Sequence, residues 1–251
     1  MFQEGAAKIR TPKVHSDPIL ETVLINTAGG LTGGDRMNWQ VDLDEGTSVV
    51  LTSPTCEKIY RSIGDQAEIE TRITVGAHAA ISYLPQETLL FDRSALRRRL
   101  TVDLSPTSSG LFVEATIFGR QAMGESVRTA SFLDRWRIKQ DGRLLHAEDI
   151  RFEGDIQSLL ACPTVTGGMV ATATVLMVHP EVETLLDPVR AGLGEHGGAT
   201  VWSVAGRDKL LVRLVAESGF ALRNRLLPVL LRCNKKLLGS PNYGLPKVWT
   251  L

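Results

Sequence analysis

Apolar and polar residues alternate with a period of two along much of the first two thirds of this chain, and that rhythm commits it to sheets. In Glu68-Ile-Glu-Thr-Arg-Ile-Thr-Val75, the residues Ile69, Thr71, Ile73 and Val75 share one face. Glu68, Glu70, Arg72 and Thr74 share the other, which predicts a strand over Ala67–Val75 with one wet side. Further short strands read at Thr22–Ile25, Asn38–Leu43, Thr47–Thr52, Ala79–Leu84, Arg98–Leu104 and Leu111–Phe118. Turn residues punctuate them at Asp44-Glu-Gly46, Gly76-Ala-His78 and Ser105-Pro-Thr-Ser-Ser-Gly110. Many short strands at this spacing predict layered sheets, a barrel or a solenoid-like stack. Arg135–Lys139 and Leu144–Phe152 flank Asp141-Gly142, the preferred type I′ hairpin turn. No internal repeat or long linker is legible.

The character changes after Thr166-Gly-Gly168. Met169–Val178 reads as an apolar strand, and Pro180–Leu193 as a helix with Pro180 in its first turn. Strands Ala199–Val204 and Lys209–Ala216 follow, joined by Gly206-Arg-Asp208. The strongest helix runs from Ser218 to Leu238, with Phe220, Leu226, Leu227, Leu230, Leu231, Leu237 and Leu238 near helical spacing and Gly239 as its stop. Pro188 predicts a shortened or kinked helix, and Pro228 a kink or a break in the longer one. The expected architecture is mainly β: stacked or layered short strands in one large domain, with a small helical portion near the C-terminus. Residues 1–166 form the strand-rich body and 167–251 a mixed strand and helix portion of the same domain.

Between the first two of these strands lies Asn26-Thr-Ala-Gly-Gly-Leu-Thr-Gly-Gly-Asp35. Glycine is needed where φ is positive or where backbones approach closely, so this is a shaped loop with a carboxylate at its exit. Gly29 and Gly34 have the spacing of a P-loop opening. A P-loop then requires Lys, Ser or Thr and a helix, whereas Asp35-Arg36 and a strand follow here. Dinucleotide binding fails similarly, because no G-x-G-x-x-G opens a helix.

Composition narrows the remaining functions. Lys plus Arg and Asp plus Glu number 28 each, so no overall field draws the chain to nucleic acid or anionic membrane. No apolar run reaches the roughly 20 residues of a membrane span. The first ten residues lack a signal core, which makes the cytoplasm the expected compartment. Three cysteines, Cys56, Cys162 and Cys233, stand far apart and suggest no disulfide framework. His15, His78, His146, His179 and His196 are scattered, and no preformed zinc-type spacing occurs. No stable metal site is expected.

Four polar clusters stand at strand ends: the glycine loop with Asp35 and Arg36, Cys56-Glu-Lys-Ile-Tyr-Arg-Ser62, Leu84-Pro-Gln-Glu-Thr-Leu-Leu-Phe-Asp-Arg93, and Gly119-Arg-Gln-Ala-Met-Gly-Glu125. Asp35, Glu57, Glu87, Asp92 and Glu125 are therefore candidate acids, bases or weak cation contacts. Turn carboxylates paired with a nearby arginine are the plainer reading. Cys56 beside Lys58 is either an activated thiol or a buried inert one, the latter being expected. Arg97–Arg99 alternate faces on a strand and make no single basic patch, so a solvated edge or a protein interface is expected there rather than nucleic acid. A hydrolase using converging strand-end carboxylates is the competing reading, and it requires pKa values pushed apart.

These four clusters, in this order, resemble the urease accessory protein UreD family, called UreH in some organisms. The match runs through Asn26–Asp35, Glu57–Ser62, Leu84–Glu87, Phe91–Arg93, Gly119-Arg and Met123–Glu125, and the ending Leu245-Pro-Lys-Val-Trp249 is similar too. Gly29, Gly30, Gly33, Gly34, Tyr60, Arg61, Gln86, Arg93, Gly119, Arg120 and Gly124 are its motif residues. The resemblance implies a chaperone-like scaffold and not an enzyme, helping to insert nickel into urease in the cytoplasm. Its implied partners are UreF, the GTPase UreG and the urease apoprotein, with UreE indirectly as nickel donor. It implies no resident cofactor, only transient nickel along an internal wet route. Asp35 is the first candidate to line that route, then Glu87, Asp92 and Glu125. Glu57 comes last, since family members also carry a non-acidic residue there. Members usually have further strand sequence before the segment matching Lys8–Pro12, so an exposed strand edge and poor solubility alone are expected here, unless the start codon was assigned late.

Overall fold

The computed structural model describes residues 1–12, 19–120, 123–240 and 242–250. His15, Gln121 and Ala122 lie outside the described residues. Fifteen strands and three α-helices are described. The strands are β1 (Ala7–Arg10), β2 (Leu20–Asn26), β3 (Arg36–Leu43), β4 (Ser48–Thr52), β5 (Glu57–Ile59), β6 (Ala67–Val75), β7 (Ala80–Leu84), β8 (Thr88–Leu90), β9 (Ala95–Leu104), β10 (Ser109–Phe118), β11 (Thr129–Gln140), β12 (Arg143–Asp155), β13 (Ala171–Val178), β14 (Gly197–Val204) and β15 (Arg207–Ala216). The helices are α1 (Ile156–Ala161), α2 (Glu183–Leu193) and α3 (Gly219–Leu238).

The chain winds as a two-sheet solenoid. Sheet A runs β1-β2-β4-β7-β10-β13-β15-β14, with β5 and β8 as side members. Sheet B runs β12-β11-β9-β6-β3. The chain passes from sheet A to sheet B and back in each coil, so β2, β4, β7 and β10 stack in parallel, as do β3, β6, β9 and β11. Arg36 pairs with Glu68, Glu68 with Arg97 and Arg97 with Leu133, which makes each coil roughly thirty residues long. This is an internal repeat of structure that the sequence does not display. Each coil meets different neighbours, so inward positions need only be apolar and of suitable volume.

Inward-facing residues of the two sheets form the interior. Leu51, Ile81, Phe112, Ile73, Val102 and Trp136 pack together at one end, and Ile59, Leu90, Phe118, Leu96 and Phe132 at the other. The opposite face of sheet A carries α2 and α3, with Val113, Val175, Val212, Leu222, Leu226 and Leu230 between them. After the solenoid, β13 pairs antiparallel with β10, and β15 and β14 extend the same sheet.

Local signals explain most boundaries. Asp141 and Gly142 have φ of 48° and 76°, as the type I′ turn between β11 and β12 requires. Ser218 Oγ accepts from the Ala221 amide to cap α3, and Gly239 closes it in the left-handed region at φ 61°. Three expectations are corrected. Helix α3 runs unbroken through Pro228, and its buried stripe of Leu222, Leu226, Val229, Leu230, Cys233 and Leu237 leaves Phe220 and Leu231 exposed. Pro180 precedes α2, because tight turns joining Val182 to His179 and Thr184 to Glu181 occupy that stretch. The arginine-bearing strand β9 is not an edge: it lies between β6 and β11, and Arg98 turns inward.

Candidate functional site

The glycine loop joins sheet A to sheet B in the first coil. Its Leu31 amide donates to the Lys58 carbonyl (2.8 Å), and the Tyr60 amide donates back to the Leu31 carbonyl (2.7 Å). That clamp draws the backbones together. A Cβ on Gly30 would meet Lys58 O at 2.7 Å, and one on Gly33 would meet Asp65 O at 2.2 Å. Gly29 and Gly34 take φ of 78° and 90°. Asp35 is exposed, and its Oδ2 accepts from the Thr32 amide at 2.8 Å, so its carboxylate staples the turn.

Sheet A bends where β4 gives way to β5 and β7 to β8, while β10 continues unbroken beside both β7 and β8. The interrupted pairing opens the interior. A cavity of about 60 Å³ lies there, lined by Asn26, Glu57, Tyr83, Gln86, Arg98 and Glu114 among others. A second hollow of about 100 Å³ adjoins it toward the surface, and Asn26, Ser53 and Glu57 line both. Glu57 thus stands at the threshold, accepting from Asn26 Nδ2 at 3.0 Å. Burial raises its pKa, which the Asn26 contact opposes. The buried Nε2 of Gln86 has no hydrogen-bond partner among the described residues, as expected of a wall that meets water or a ligand.

Deeper in, one guanidinium serves two carboxylates. Arg98 donates to Asp134 at 3.1 and 2.8 Å and to Thr88 Oγ1 at 2.7 Å, and it pairs with Glu114 at 2.5 Å. Tyr83 OH donates to Glu114 at 3.2 Å and Trp136 Nε1 to Asp134 at 3.3 Å. All three charged groups are at most 5% exposed. One positive charge cannot balance two buried negative ones. Burial, with Asp134 adding and Arg98 opposing, pushes the Glu114 carboxyl well above the usual carboxylate range. None of Arg98, Glu114 and Asp134 was singled out individually from the sequence. The available signal was an acid amid the apolar run Leu111-Phe-Val-Glu-Ala-Thr-Ile-Phe118.

The other candidates lie elsewhere. Glu87 is 2% exposed and accepts from Arg223 of α3 at 3.0 and 2.7 Å. Arg223 also holds the Gln86 side chain and packs over Trp249, whose Nε1 donates to Leu84 O at 3.1 Å. This assembly ties the β7–β8 bend to the helical layer. Cys56 donates to Glu87, and burial first, then the Glu87 charge, pushes its thiol up to about 11. Burial and the Glu87 charge both work against the thiolate that an activated cysteine requires.

Asp92 and Glu125 do come together, at an open cleft of about 640 Å³ with Tyr60, Arg61, Phe91, Arg93 and Arg120. Asp92 accepts from the Arg128 and Thr129 amides at 2.7 and 3.1 Å. Burial opposes its ionisation, but those amides and Arg93 outweigh it and hold the carboxyl below its ordinary value. Arg120 Nε donates to Glu125 at 2.6 Å and its guanidinium lies over Phe91. Gly119 and Gly124 shape this loop with φ of 84° and 72°. Tyr60 and Arg61, Phe91 to Arg93, and Arg120 with Glu125, drawn from three of the clusters, thus converge on one surface, whereas Asp35, Glu87 and the Asp92–Glu125 pair occupy three separate places. Among the described residues, no group of three His, Cys, Asp or Glu stands together as a cation cage.

A model of the UreD urease accessory protein family matches residues 1–250. The chain belongs to the UreD family. It is 51% identical over 251 residues to the urease accessory protein UreD of Mesorhizobium japonicum, covering 100% of this chain and 87% of that protein. It is 50% identical to urease accessory protein UreD 1 of Brucella abortus, with the same coverage, and 50% identical to UreD of Rhizobium rhizogenes, covering 88% of the latter. The resemblance read from the four clusters is therefore a family relationship along the whole chain. The UreD relatives are named as accessory proteins of urease and not as enzymes. No helix among the described residues is long and apolar enough to cross a membrane.

Proposed function

We propose that this chain acts in the maturation of urease as a non-catalytic scaffold. In this reading it joins UreF and the GTPase UreG on the urease apoprotein in the cytoplasm, with UreE supplying nickel to the GTPase. The observation that carries the reading is the whole-length match to UreD accessory proteins. The failed P-loop agrees with it, since nucleotide hydrolysis then belongs to a partner.

The solenoid interior is our candidate for a section of a nickel route, with the ion as cargo. Transit requires weak, exchangeable oxygen contacts, because a closed set of imidazoles and thiolates would trap a borderline cation. Glu57 at the threshold and Glu114 within offer such oxygens around a cavity with room for a few waters. Glu114 would take up the ion by releasing its proton, and the Arg98 charge beside it keeps the hold weak. Of the five carboxylates chosen from the sequence, only Glu57 lines this cavity. We assign Asp35, Glu87, Asp92 and Glu125, on their contacts, to holding the loops around it.

The test is urease activation in a host lacking its own UreD, with the urease subunits, UreE, UreF and UreG co-expressed under nickel. The wild-type chain should restore activity and bound nickel. Glu57→Gln with Glu114→Gln should form the complex yet load less nickel. Soluble wild-type chain in an intact complex without activation refutes the scaffold, and full loading by the double variant refutes the route.

A further inference from the structure

The open cleft of Tyr60, Arg61, Phe91, Arg93 and Arg120 shares no lining residue with the interior cavity. Neighbouring coils build it. Arg61 stands opposite Ser94 in an antiparallel bridge, and the Ser62 amide donates to Arg93 O at 2.9 Å, so Arg61 and Arg93 leave adjacent backbones. The Phe91 ring meets Tyr60 edge to face with centroids 4.9 Å apart, and the Arg120 guanidinium lies 4.3 Å over Phe91.

The charges set the sign of what fits. Arg61, Arg93, Arg120 and Arg128 surround the carboxylates of Asp92 and Glu125. Both carboxylates are engaged: Asp92 Oδ1 by the Arg128 and Thr129 amides, Glu125 Oε2 by Arg120 at 2.6 Å, and Glu125 Oε1 by the Asp92 amide at 3.4 Å. The guanidinia are less occupied. Arg61 is exposed, with neither an ion pair nor a side-chain hydrogen bond among the described residues. The Arg93 side chain is 59% exposed and reaches Asp92 only at 3.8 Å. An entering cation would find both carboxylates engaged, whereas an anion finds two available guanidinium forks.

The Arg93 backbone adds an independent observation. Its φ is 62°, in the left-handed region, where a residue other than glycine is strained. Its amide donates to Thr129 O at 2.7 Å while its carbonyl accepts from Ser62, and those bonds hold it there. Glycine could make the same bonds without strain. An arginine kept in that conformation, with only a loose partner of its own, indicates a contact beyond this chain.

Apolar surface lies alongside. Tyr60 is 39% exposed, and Ile63, two residues beyond Arg61, is 97% exposed. Tyrosine with arginine is the composition of interface hot spots, and an exposed isoleucine suits a polypeptide better than a bare anion. With 28 basic and 28 acidic residues, the chain exerts no general pull on nucleic acid. We propose that this cleft docks an acidic segment of a partner protein, with a carboxylate taken by Arg61 and Arg93 and an adjoining apolar side chain laid against Tyr60. The proposal rests on the scaffold reading only for the choice of proteins to test.

The test is co-expression of the tagged full chain with the urease subunits, UreF and UreG, carrying a photoreactive benzophenone side chain in place of Tyr60. Light should join that side chain to one of these proteins, at a segment where mass spectrometry finds Asp or Glu beside an apolar residue. In titrations of that partner, Arg61→Glu and Arg93→Gly should each lower affinity roughly tenfold, and rising salt should weaken the wild-type complex. Arg93→Gly also relieves the left-handed backbone, so a melting temperature at or above wild type separates lost docking from lost folding. Arg61→Lys keeps the charge without the bidentate fork and should fall between. Joining to a segment without acidic residues, or to nucleic acid, overturns the inference. Retention of the partners with affinities indifferent to both variants overturns this inference alone, whereas a wild-type chain that retains none of these proteins overturns the scaffold reading with it.

Discussion

Replacing Arg98 tests whether the polar layer is a liability held in check by a single side chain. In Arg98→Met the methionine fills most of the volume, so the packing loss is small. The electrostatic loss is not. Among the described residues, Asp134, 2% exposed, then keeps only Trp136 Nε1 at 3.3 Å, and Glu114, 5% exposed, only Tyr83 OH at 3.2 Å. Removing one partner from a buried charged set costs about 3–5 kcal/mol, because the charges left behind stay desolvated. Urea unfolding at pH 8 should show a loss of that size. At pH 5 the deficit should narrow, since the Glu114 carboxyl, without the Arg98 charge that opposes its rise, takes up its proton more readily in the folded state. Adding Glu114→Gln and Asp134→Asn removes the stranded charges and should recover most of the loss. An Arg98→Met protein within about 1 kcal/mol of wild type at pH 8 would refute the reasoning, as would a triple variant no better than the single one.

Four further outcomes are expected. The Glu114 carboxyl is pushed up to about 8, above its unfolded value, so its contribution to stability is complete below the unfolded pKa and disappears as pH rises through about 8. Glu114→Gln should flatten that decline, and an unchanged slope of melting temperature against pH would exclude Glu114 as its source. Gly30→Ala should cost about 1–3 kcal/mol and speed amide exchange at Leu31 and Tyr60, whose bonds to Lys58 O and Leu31 O it pries apart; normal exchange there would count against the clamp. Trp249→Ala should cost about 3–5 kcal/mol, since its ring is fully buried and holds Leu84 O; a loss below about 1 kcal/mol would mean the ending is merely draped on the fold. In alkylation followed by mass spectrometry at neutral pH, Cys162, whose contact with Thr164 lowers its pKa, should react, while Cys56 and Cys233, raised to about 11 and about 12 chiefly by burial, should not. Early modification of Cys56 would show that the β7–β8 bend opens.

The strands were legible wherever period-two alternation lasted five residues or more, as at β6, whose bounds Ala67–Val75 match the reading from sequence. The three-residue strands β5 and β8 carry no period and were missed, although they create the bend beside the cavity. Parallel stacking was also hidden, because partners lie roughly thirty residues apart with no shared sequence to reveal it. Arg98 shows the limit for the site. Alternation along Arg97–Arg99 implied that neighbouring arginines face opposite ways. Which one enters the interior, and that Glu114 and Asp134 await it there, depends on the register of three strands. Asp35 failed to reach the interior for the opposite reason. Its motif is distinctive, but the distinctiveness serves close backbone approach in the glycine loop.

The bond from Trp249 to Leu84 spans 165 residues. On a ribosome, each coil of the solenoid can stack on the one before it as it emerges, from neighbours made moments earlier. The β7–β8 bend cannot be secured that way. Its Gln86 and Glu87 are made early, yet the arginine and tryptophan that fasten them come from α3 and the segment beyond it. The walls of the interior cavity are therefore laid down first and locked last. A nascent chain stalled before α3 would present a stacked but unlatched solenoid, with a buried acid still waiting for its counter-charge.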